Sequence, residues 1–366
     1  MTPGLSIRCG VAYHLGRMKR AVLTAAGKFE IDDAPMPSPG AGEALVRISA
    51  VGVCGSDLHM FREGAIGGVT IADAGGPFVP GHECAGVVED VGPGDDRSLV
   101  GRRVFLEPAV NCMRCRWCLA GMPNVCPHHT FLGLPARQGC LVEYMTHPLR
   151  LCEPLGDEID DDTAVMLEPL AIIVHSLDRL GHRGGSPVAV LGAGPIGLTH
   201  VILLARSGAA PLIVTDLLDY RLEIARRLGA THTLNPTRDD VPAAVAELTG
   251  GDGADYVFEC AGTVETYHQM VAIAAPGGRV GVVGIPPDDT VTFKHSFGRR
   301  KGLDVLMIRR ANLTFARAVS RALNEKLPLR QLATHHWPLD AIQQAYETAA
   351  DYRDGILKGI INPGAD

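Results

Sequence analysis

Residues 187–197 read PVAVLGAGPIG, an apolar strand that runs directly into a glycine turn and the start of a helix. Glycines in such a turn allow a tight bend, the close approach of a pyrophosphate and the packing of helix on strand. The amides at the helix N-terminus also favour an anion. We therefore predict a dinucleotide-binding unit here. Its cofactor-binding candidates are Gly192, Gly194, Pro195, Ile196 and Gly197.

An acidic residue follows at the distance that such a unit requires. Asp216 lies nineteen residues beyond Gly197 and ends the next apolar run, PLIVTD. A carboxylate there can accept hydrogen bonds from an adenosine ribose, which favours NAD over NADP. A bland glycine turn with an accidental aspartate is the competing interpretation. The order of strand, turn, helix, second strand and acid speaks against it.

The pattern around this unit changes along the chain. From about Glu168 to Ile308, apolar strands alternate with helical segments, which predicts a parallel sheet covered by helices on both faces. From about Met18 to Pro154, short β-branched runs are separated by Gly and Pro, which is typical of a compact all-β unit. A chain of 366 residues also favours two domains. The final run, GILKGIIN, could rejoin the first of them.

Composition and charge narrow the class of protein. The chain is 46% apolar and carries a net charge of −7, without a basic stripe for nucleic acid or an anionic membrane. Its longest apolar stretch, around Val188 to Ala205, is broken by glycines, Pro195 and His200, so no membrane span is expected. Ten cysteines without a signal-peptide pattern favour a reducing compartment, and the cytoplasm fits best.

The first seventeen residues differ from the rest of the chain. They carry no acid and no clear period, whereas Met18 opens the alternating run MKRAVLTAAGKFEI. Met18 is therefore a candidate for the true start. A short targeting peptide is the alternative, but the segment lacks a long apolar core and a cleavage-like end.

Four cysteines lie within fifteen residues at C-x2-C-x2-C-x7-C spacing: Cys112, Cys115, Cys118 and Cys126. Four thiolates can surround one tetrahedral zinc ion and leave no position for water or substrate, so we predict a structural metal site. A disulfide cluster is the alternative, although this spacing suits a loop around a metal better.

A second set of possible ligands is scattered over the chain: Cys54, His82, Glu83 and Glu168. Mixed sulfur, nitrogen and oxygen ligands with one open position are what a catalytic zinc needs. The spacing of these residues does not by itself separate a metal site from ordinary polar residues.

With these residues assembled, the chain from about Met18 onward resembles the zinc-dependent medium-chain dehydrogenases, most closely the sorbitol and polyol dehydrogenase branch. The segments that carry the resemblance are GVCGSDLH from Gly52 to His59, PGHE at 80–83, the four-cysteine segment, LEPLA at 167–171, GAGPIG, and the TD that ends at Asp216. The resemblance implies an α/β protein with a GroES-like β-barrel catalytic domain at 18–167, a Rossmann NAD-binding domain at 168–308, and a return to the catalytic domain at 309–366.

The resemblance also implies roles for single residues. Cys54, His82 and either or both of Glu83 and Glu168 would hold a catalytic zinc ion. Ser56 would accept the substrate proton first, and His59 would pass it to solvent. Two further residues would meet the cofactor: Arg221, near the adenosine ribose, and Val283, through its backbone.

The expected activity is NAD-dependent oxidation of a secondary alcohol of a polyol or sugar derivative by a homodimer or homotetramer. Threonine-type or simple alcohol substrates are the alternative within the family. A non-catalytic zinc protein and a zinc-free quinone reductase of the same fold are the competing classes. The chain departs from the polyol pattern at Met60 and at Arg309–Arg310, where an aromatic residue and an Arg-Tyr pair are usual. Two arginines there could recognise an acidic sugar, or one of them could instead contact a cofactor phosphate or a neighbouring subunit.

Overall fold

The structure is a computed structural model that describes residues 16–134, 137–286 and 290–364. The interpretation of the first seventeen residues falls almost entirely on 1–15, outside the described residues. Within the described ranges, no helix is both long and apolar enough to cross a membrane.

The first half of the chain is built mainly from strands. They are β1 (Arg17–Ala25), β2 (Lys28–Pro35), β3 (Glu43–Gly52), β4 (Ala65–Ile66), β5 (Val69–Thr70), β6 (Glu83–Val91), β7 (Arg103–Leu106), β8 (Ala109–Val110), β9 (Thr130–Phe131), β10 (Tyr144–Pro148) and β11 (Cys152–Pro154). The helices of this half are α1 (Gly55–Glu63), α2 (Arg116–Leu119) and α3 (Asp161–Val165), and α4 (Leu167–Leu180) follows.

The second half alternates strands and helices. Its strands are β12 (Val188–Leu191), β13 (Leu212–Thr215), β14 (His232–Leu234), β15 (Ala254–Glu259), β16 (Ala274–Val282) and β17 (Asp304–Met307). Its helices are α5 (Pro195–Arg206), α6 (Asp219–Arg227), α7 (Val241–Leu248), α8 (Val264–Ile273) and α9 (His295–Lys301). The described chain then adds α10 (Phe315–Asn324), β18 (Ala333–Pro338), α11 (Ile342–Ala350) and β19 (Lys358–Asn362).

The alternating half forms one parallel sheet in the order β14-β13-β12-β15-β16-β17. Strand β12 is buried at every position because helices cover both faces, which explains its continuous apolar sequence. The strand order reverses between β12 and β15. Ligands of open parallel sheets bind at such a point, beyond the carboxyl ends of the strands. The predicted parallel sheet is confirmed.

The other large sheet has the order β11-β7-β6-β3-β19-β18, with β10 also paired to β3. Strand β19 pairs antiparallel with β3 through Ile360–Gly52 and Ile361–Val51. The last strand of the described chain therefore lies beside the segment that leads into α1.

Packing joins the two sheets. One apolar core contains Ala50 and Phe105 of the first sheet, Leu170 and Ile173 of α4, and Val190 of the parallel sheet. Because these residues form a single cluster, the expected division of the chain at 167 and 308 stays a prediction.

Candidate active site

The four clustered cysteines form a compact lobe around α2, and their sulfur atoms all lie within 4.8 Å of one another. The Sγ atom of Cys115 lies 3.6 Å from that of Cys118 and 3.8 Å from that of Cys126, and the Sγ atom of Cys112 lies 3.5 Å from that of Cys126. Sulfur atoms held about 2.3 Å from one tetrahedral cation lie about 3.8 Å apart. None of the nine described cysteines forms a disulfide. The donor set and its spacing fit a closed zinc site.

Backbone amides prepare one of these thiols for metal binding. The amide of Arg114, with help from that of Cys115, lowers the pKa of Cys112 to about 6. A thiolate rather than a thiol is the metal ligand, so this environment favours the binding form.

We expect Cys115→Ser to remove the zinc of this lobe and to lower the melting temperature by at least about 4 °C, because a structural metal contributes folding free energy. Metal analysis and a thermal melt would measure both effects. Cys260→Ser is the matched control, since Cys260 lies outside both metal-ligand clusters among the described residues. A Cys115→Ser protein that melts like the parent would contradict the structural assignment.

The second ligand cluster forms where the N-terminus of α1 meets the start of β6. The ligand atoms of Cys54, His82 and Glu83 all lie within 4.8 Å of one another. Cys54 caps the N-terminus of α1, and His82 and Glu83 lie at the start of β6. The sulfur, nitrogen and oxygen donors of this set suit zinc.

Glu83 is held in place by its strand register and by the glycine that lies opposite it. Gly52 of β3 lies directly opposite Glu83. A Cβ atom on Gly52 would come within 2.4 Å of Glu83 Oε2, so only glycine leaves room for this carboxylate.

Lys358 was not among the residues predicted from the sequence. Its Nζ lies 2.6 Å from Glu83 Oε2 and donates to the Val53 carbonyl at 3.1 Å. The side chains of Lys358 and Glu83 are only 2% and 1% exposed. Burial opposes the charge of Lys358, but the carboxylate of Glu83, followed by Cys54, outweighs it and raises the lysine pKa. The one signal in the sequence was a lone lysine inside the apolar run GILKGIIN.

Glu168 lies in the first turn of α4 and is buried, but it does not belong to the cluster of ligand atoms. Burial raises its pKa to about 7, and the charges of His82 and Glu83 act on it in opposite directions. The structure thus brings Glu83 among the donor atoms and leaves Glu168 as a nearby acid.

The proposed relay residues share one face of α1, three positions apart. Ser56 is half-buried in the first turn, and His59 is 30% exposed with its Nδ1 3.7 Å from Glu63 Oε1. The buried carboxylate of Asp57 lies between them in sequence, and its Oδ1 is 3.5 Å from His82 Nδ1. Helix α1 therefore runs from the ligand cluster towards the surface.

The glycine turn has the geometry of an anion cradle. Gly192 has a φ of 97°, and a Cβ atom on Gly197 would lie 1.8 Å from the Gly192 carbonyl oxygen. Helix α5 begins after Gly194, with Pro195 in its first turn, and no side chain in the described ranges caps its N-terminus. The free amides, including that of Ile196, suit a pyrophosphate.

The neighbouring candidates lie at the same carboxyl edge. Asp216 accepts from the amides of Ala193 at 2.8 Å and Leu218 at 2.9 Å, and its Oδ2 lies 3.8 Å from Arg221 Nη1. Val283 directly follows β16, and its amide donates to the Glu259 carbonyl.

Arg221 is held by two aromatic residues that were not predicted from the sequence. Its guanidinium lies 4.6 Å from the centre of the Tyr352 ring, and its Nε donates to the Tyr220 hydroxyl at 3.2 Å. Tyr220 in turn donates to the Ile356 carbonyl. The segment before β19 therefore supports the dinucleotide side of the cleft.

Comparisons with known families agree with this geometry. Residues 40–157 match the alcohol dehydrogenase GroES-like domain, and residues 195–324 match the zinc-binding dehydrogenase domain. The predicted GroES-like and Rossmann architecture is confirmed.

Individual relatives cover nearly the whole chain. Sorbitol dehydrogenase of Bacillus subtilis (strain 168) is 32% identical over 94% of this chain and 97% of its own. The L-threonine 3-dehydrogenase of Chromobacterium violaceum is 32% identical over 92% of this chain and 97% of its own. An alcohol dehydrogenase of Escherichia coli CFT073, solved with NADH, is 27% identical, covers 95% of this chain and 99% of its own, and has a TM-score of 0.86. From both domains and this full-length similarity, the chain belongs to the zinc- and NAD(P)-dependent medium-chain alcohol dehydrogenases and resembles sorbitol dehydrogenase.

Proposed function

We propose that the protein oxidises a secondary alcohol of a polyol or sugar derivative to a ketone and transfers the hydride to NAD. The observation that carries this proposal is the convergence of Cys54, His82 and Glu83 on one small volume in a chain that also holds a dinucleotide turn. The similarity to sorbitol dehydrogenase supports the polyol class.

In this proposal Cys54, His82 and Glu83 hold the catalytic metal, and Glu168 is the nearby acid that can approach it. A zinc ion bound there would supply a Lewis acid that polarises the substrate hydroxyl and lowers its pKa. The Ser56 hydroxyl takes the substrate proton, and His59, which is 30% exposed, releases it to solvent. Lys358 pairs with Glu83 and fixes its orientation.

The glycine turn and Asp216 select the cofactor. Asp216 retains acceptor capacity for a ribose hydroxyl beside its two backbone bonds, and a 2′-phosphate would meet its negative charge. These features support NAD over NADP.

We expect Asp216→Ala to lower the ratio of kcat/KM for NAD to that for NADP by about 10- to 100-fold, because hydrogen bonds to a charged acceptor are lost. Steady-state kinetics with each cofactor measures the ratio, which is insensitive to a general distortion of the turn. Asp219→Ala is the control, since Asp219 is an exposed aspartate at the start of α6 that pairs with Arg238. An unchanged ratio in Asp216→Ala would show that Asp216 does not contact the ribose.

A second substrate class has specific support. L-Threonine 3-dehydrogenase is as similar to this chain as sorbitol dehydrogenase is, at 32% identity. Amino alcohols therefore belong in the substrate test beside polyols.

We also propose a cytoplasmic homodimer or homotetramer. Strand β17 lies at the end of the parallel sheet, and its Val305 and Met307 are 37% and 67% exposed. An exposed apolar edge of this kind suits pairing with a second copy. The nine described cysteines, all of them free thiols, are consistent with a reducing compartment. Light scattering would measure the number of subunits.

The central test combines a metal count with a substrate panel. We expect two zinc ions per chain and formation of NADH, followed by absorbance, with secondary alcohols drawn from polyols, sugar acids, amino alcohols and simple alcohols. Failure of the zinc-loaded enzyme to oxidise any of these alcohols would overturn the proposed function.

A further inference from the structure

Arg310 lies at the edge of the candidate active site. It follows β17, so it emerges from the same carboxyl edge of the parallel sheet as the glycine turn. Its guanidinium carbon lies 3.8 Å from the centre of the Phe131 ring. The Phe131 ring is in turn 5.2 Å from the ring of His82, measured between centres. One aromatic ring therefore contacts both Arg310 and a candidate metal ligand.

The guanidinium of Arg310 is half-buried, and no described residue serves as its counter-ion. Within the described part of the chain it forms no hydrogen bond and no ion pair, and its one specific contact is the face of Phe131. Burial, followed by the charge of Arg309, lowers its pKa to about 9, and the negative charge of Glu168 only partly offsets this. Arg310 thus stays cationic at neutral pH with its donors unused. A guanidinium has five N–H donors, and burying them without partners is unfavourable.

The adjacent arginine differs. Arg309 is exposed, and its Nη2 lies 3.4 Å from His129 Nε2. The side chains of these two adjacent arginines therefore have different surroundings. Of the two, only Arg310 contacts Phe131, the ring that forms the aromatic wall of the site.

The backbone holds Arg310 in place at some cost. Its φ of 53° is in the left-handed region, which non-glycine residues seldom occupy and which is enriched at ligand-binding sites. The flanking turn is fastened to the four-cysteine lobe on both sides. Asn124 donates to the Arg309 carbonyl at 2.9 Å, and Asn312 donates to the Gly121 carbonyl at 3.0 Å.

We propose that Arg310 binds an oxyanion on the substrate, either a carboxylate or a phosphate, while the reacting hydroxyl lies at the Cys54, His82 and Glu83 cluster. This inference rests on the proposed function and narrows its substrate class to acidic sugar derivatives. A guanidinium can pair with either anion through two parallel hydrogen bonds, which fixes the substrate's orientation as well as its charge.

The cofactor is a poorer partner for Arg310. The dinucleotide phosphates are expected at the N-terminus of α5, where Arg221 already lies near Gly194 and Asp216. Arg310 lies instead against Phe131 and His82, on the metal side of the site.

The test uses three matched panels: neutral alditols, the corresponding aldonates and the corresponding alditol phosphates. We expect the zinc-loaded enzyme to prefer one anionic panel over the neutral one by about 10- to 100-fold in kcat/KM, and the preferred panel identifies the anion. Arg310→Met should lower the anionic-to-neutral ratio by a similar factor, mainly through KM. Arg310→Lys should restore part of it, because the charge returns without the paired geometry.

Three controls separate this contact from other roles. Arg309→Met should keep the parental ratio, and NADH affinity, measured by fluorescence, should be the same in Arg310→Met as in the parent. Calorimetry with the aldonates and with the alditol phosphates should show weaker binding of at least one of these anions to Arg310→Met than to the parent, even without turnover. Equal preference for neutral and anionic panels, an unchanged ratio in Arg310→Met, a loss in Arg309→Met instead, or weakened NADH binding would overturn the inference. If the parent oxidises none of the alcohols, the proposed function fails, and the calorimetric comparison alone decides the anion contact.

Discussion

Replacing Cys54 with serine is expected to lower kcat by more than about 100-fold while NADH still binds. Loss of a residue that only orients a metal ligand costs about 10- to 100-fold, and loss of the ligand itself should exceed that. The Cys54 thiol lies with His82 and Glu83 in one cluster of donor atoms, whereas the dinucleotide turn begins at Gly192 on another sheet. The two functions should therefore separate in one variant.

Metal analysis, NADH fluorescence and steady-state turnover measure the three properties of the Cys54 variant. One zinc ion per chain should remain, because the four-cysteine lobe is intact. Cys152→Ser is the matched control, since Cys152 is a buried free cysteine of β11 outside both clusters. Parental turnover in Cys54→Ser would refute the catalytic metal assignment. Equal losses in both variants would point to general damage.

Replacing Lys358 with methionine is expected to destabilise the fold by about 3–5 kcal/mol, because it leaves the buried carboxylate of Glu83 without its cation. Both side chains are almost fully inaccessible, so water cannot take over the role of the ammonium group. The same change frees Glu83 Oε2, which Lys358 holds at 2.6 Å among the candidate metal ligands. Urea unfolding of the parent and the variant measures the loss of stability.

An exposed ion pair elsewhere in the chain is the control for this prediction. Lys19 and Asp340 are also joined at 2.7 Å, but their side chains are 47% and 59% exposed. Lys19→Met should therefore leave the unfolding midpoint almost unchanged. A double variant, Lys358→Met with Glu83→Gln, should be more stable than Lys358→Met alone. Parental stability in Lys358→Met would show that the buried pair is not needed.

The sequence was most informative about features whose residues all lie within one short segment. The four cysteines lie within fifteen residues, and the glycine turn with Asp216 spans one strand, one helix and the next strand. Backbone geometry fixes how such segments fold locally, so spacing carries the chemistry. The parallel sheet could be predicted for the same reason, because its four central strands, β13, β12, β15 and β16, are apolar runs. The edge strands β14 and β17 are short and mostly not buried, and the sequence did not indicate them.

The scattered candidate ligands of the catalytic metal were harder to predict from the sequence. Sequence left Glu83 and Glu168 as equal candidates, and the structure separates them through strand register. Glu83 faces Gly52 across the β3–β6 pair, whereas Glu168 enters from a helix. No local pattern encodes that register, since it depends on how two distant segments align.

The sequence by itself determined the fold class and located the four-cysteine cluster and the glycine turn, because each depends on residues that are close together along the chain. The metal and cofactor roles of these residues stay predictions. Only the tertiary structure decided that Lys358 pairs with Glu83 and that Arg310, rather than Arg309, faces the aromatic wall of the site. These contacts join residues 275 and 179 positions apart. Their existence depends on strand pairing and backbone turns that bring distant side chains into one low-dielectric volume, where an unpaired charge must find a partner.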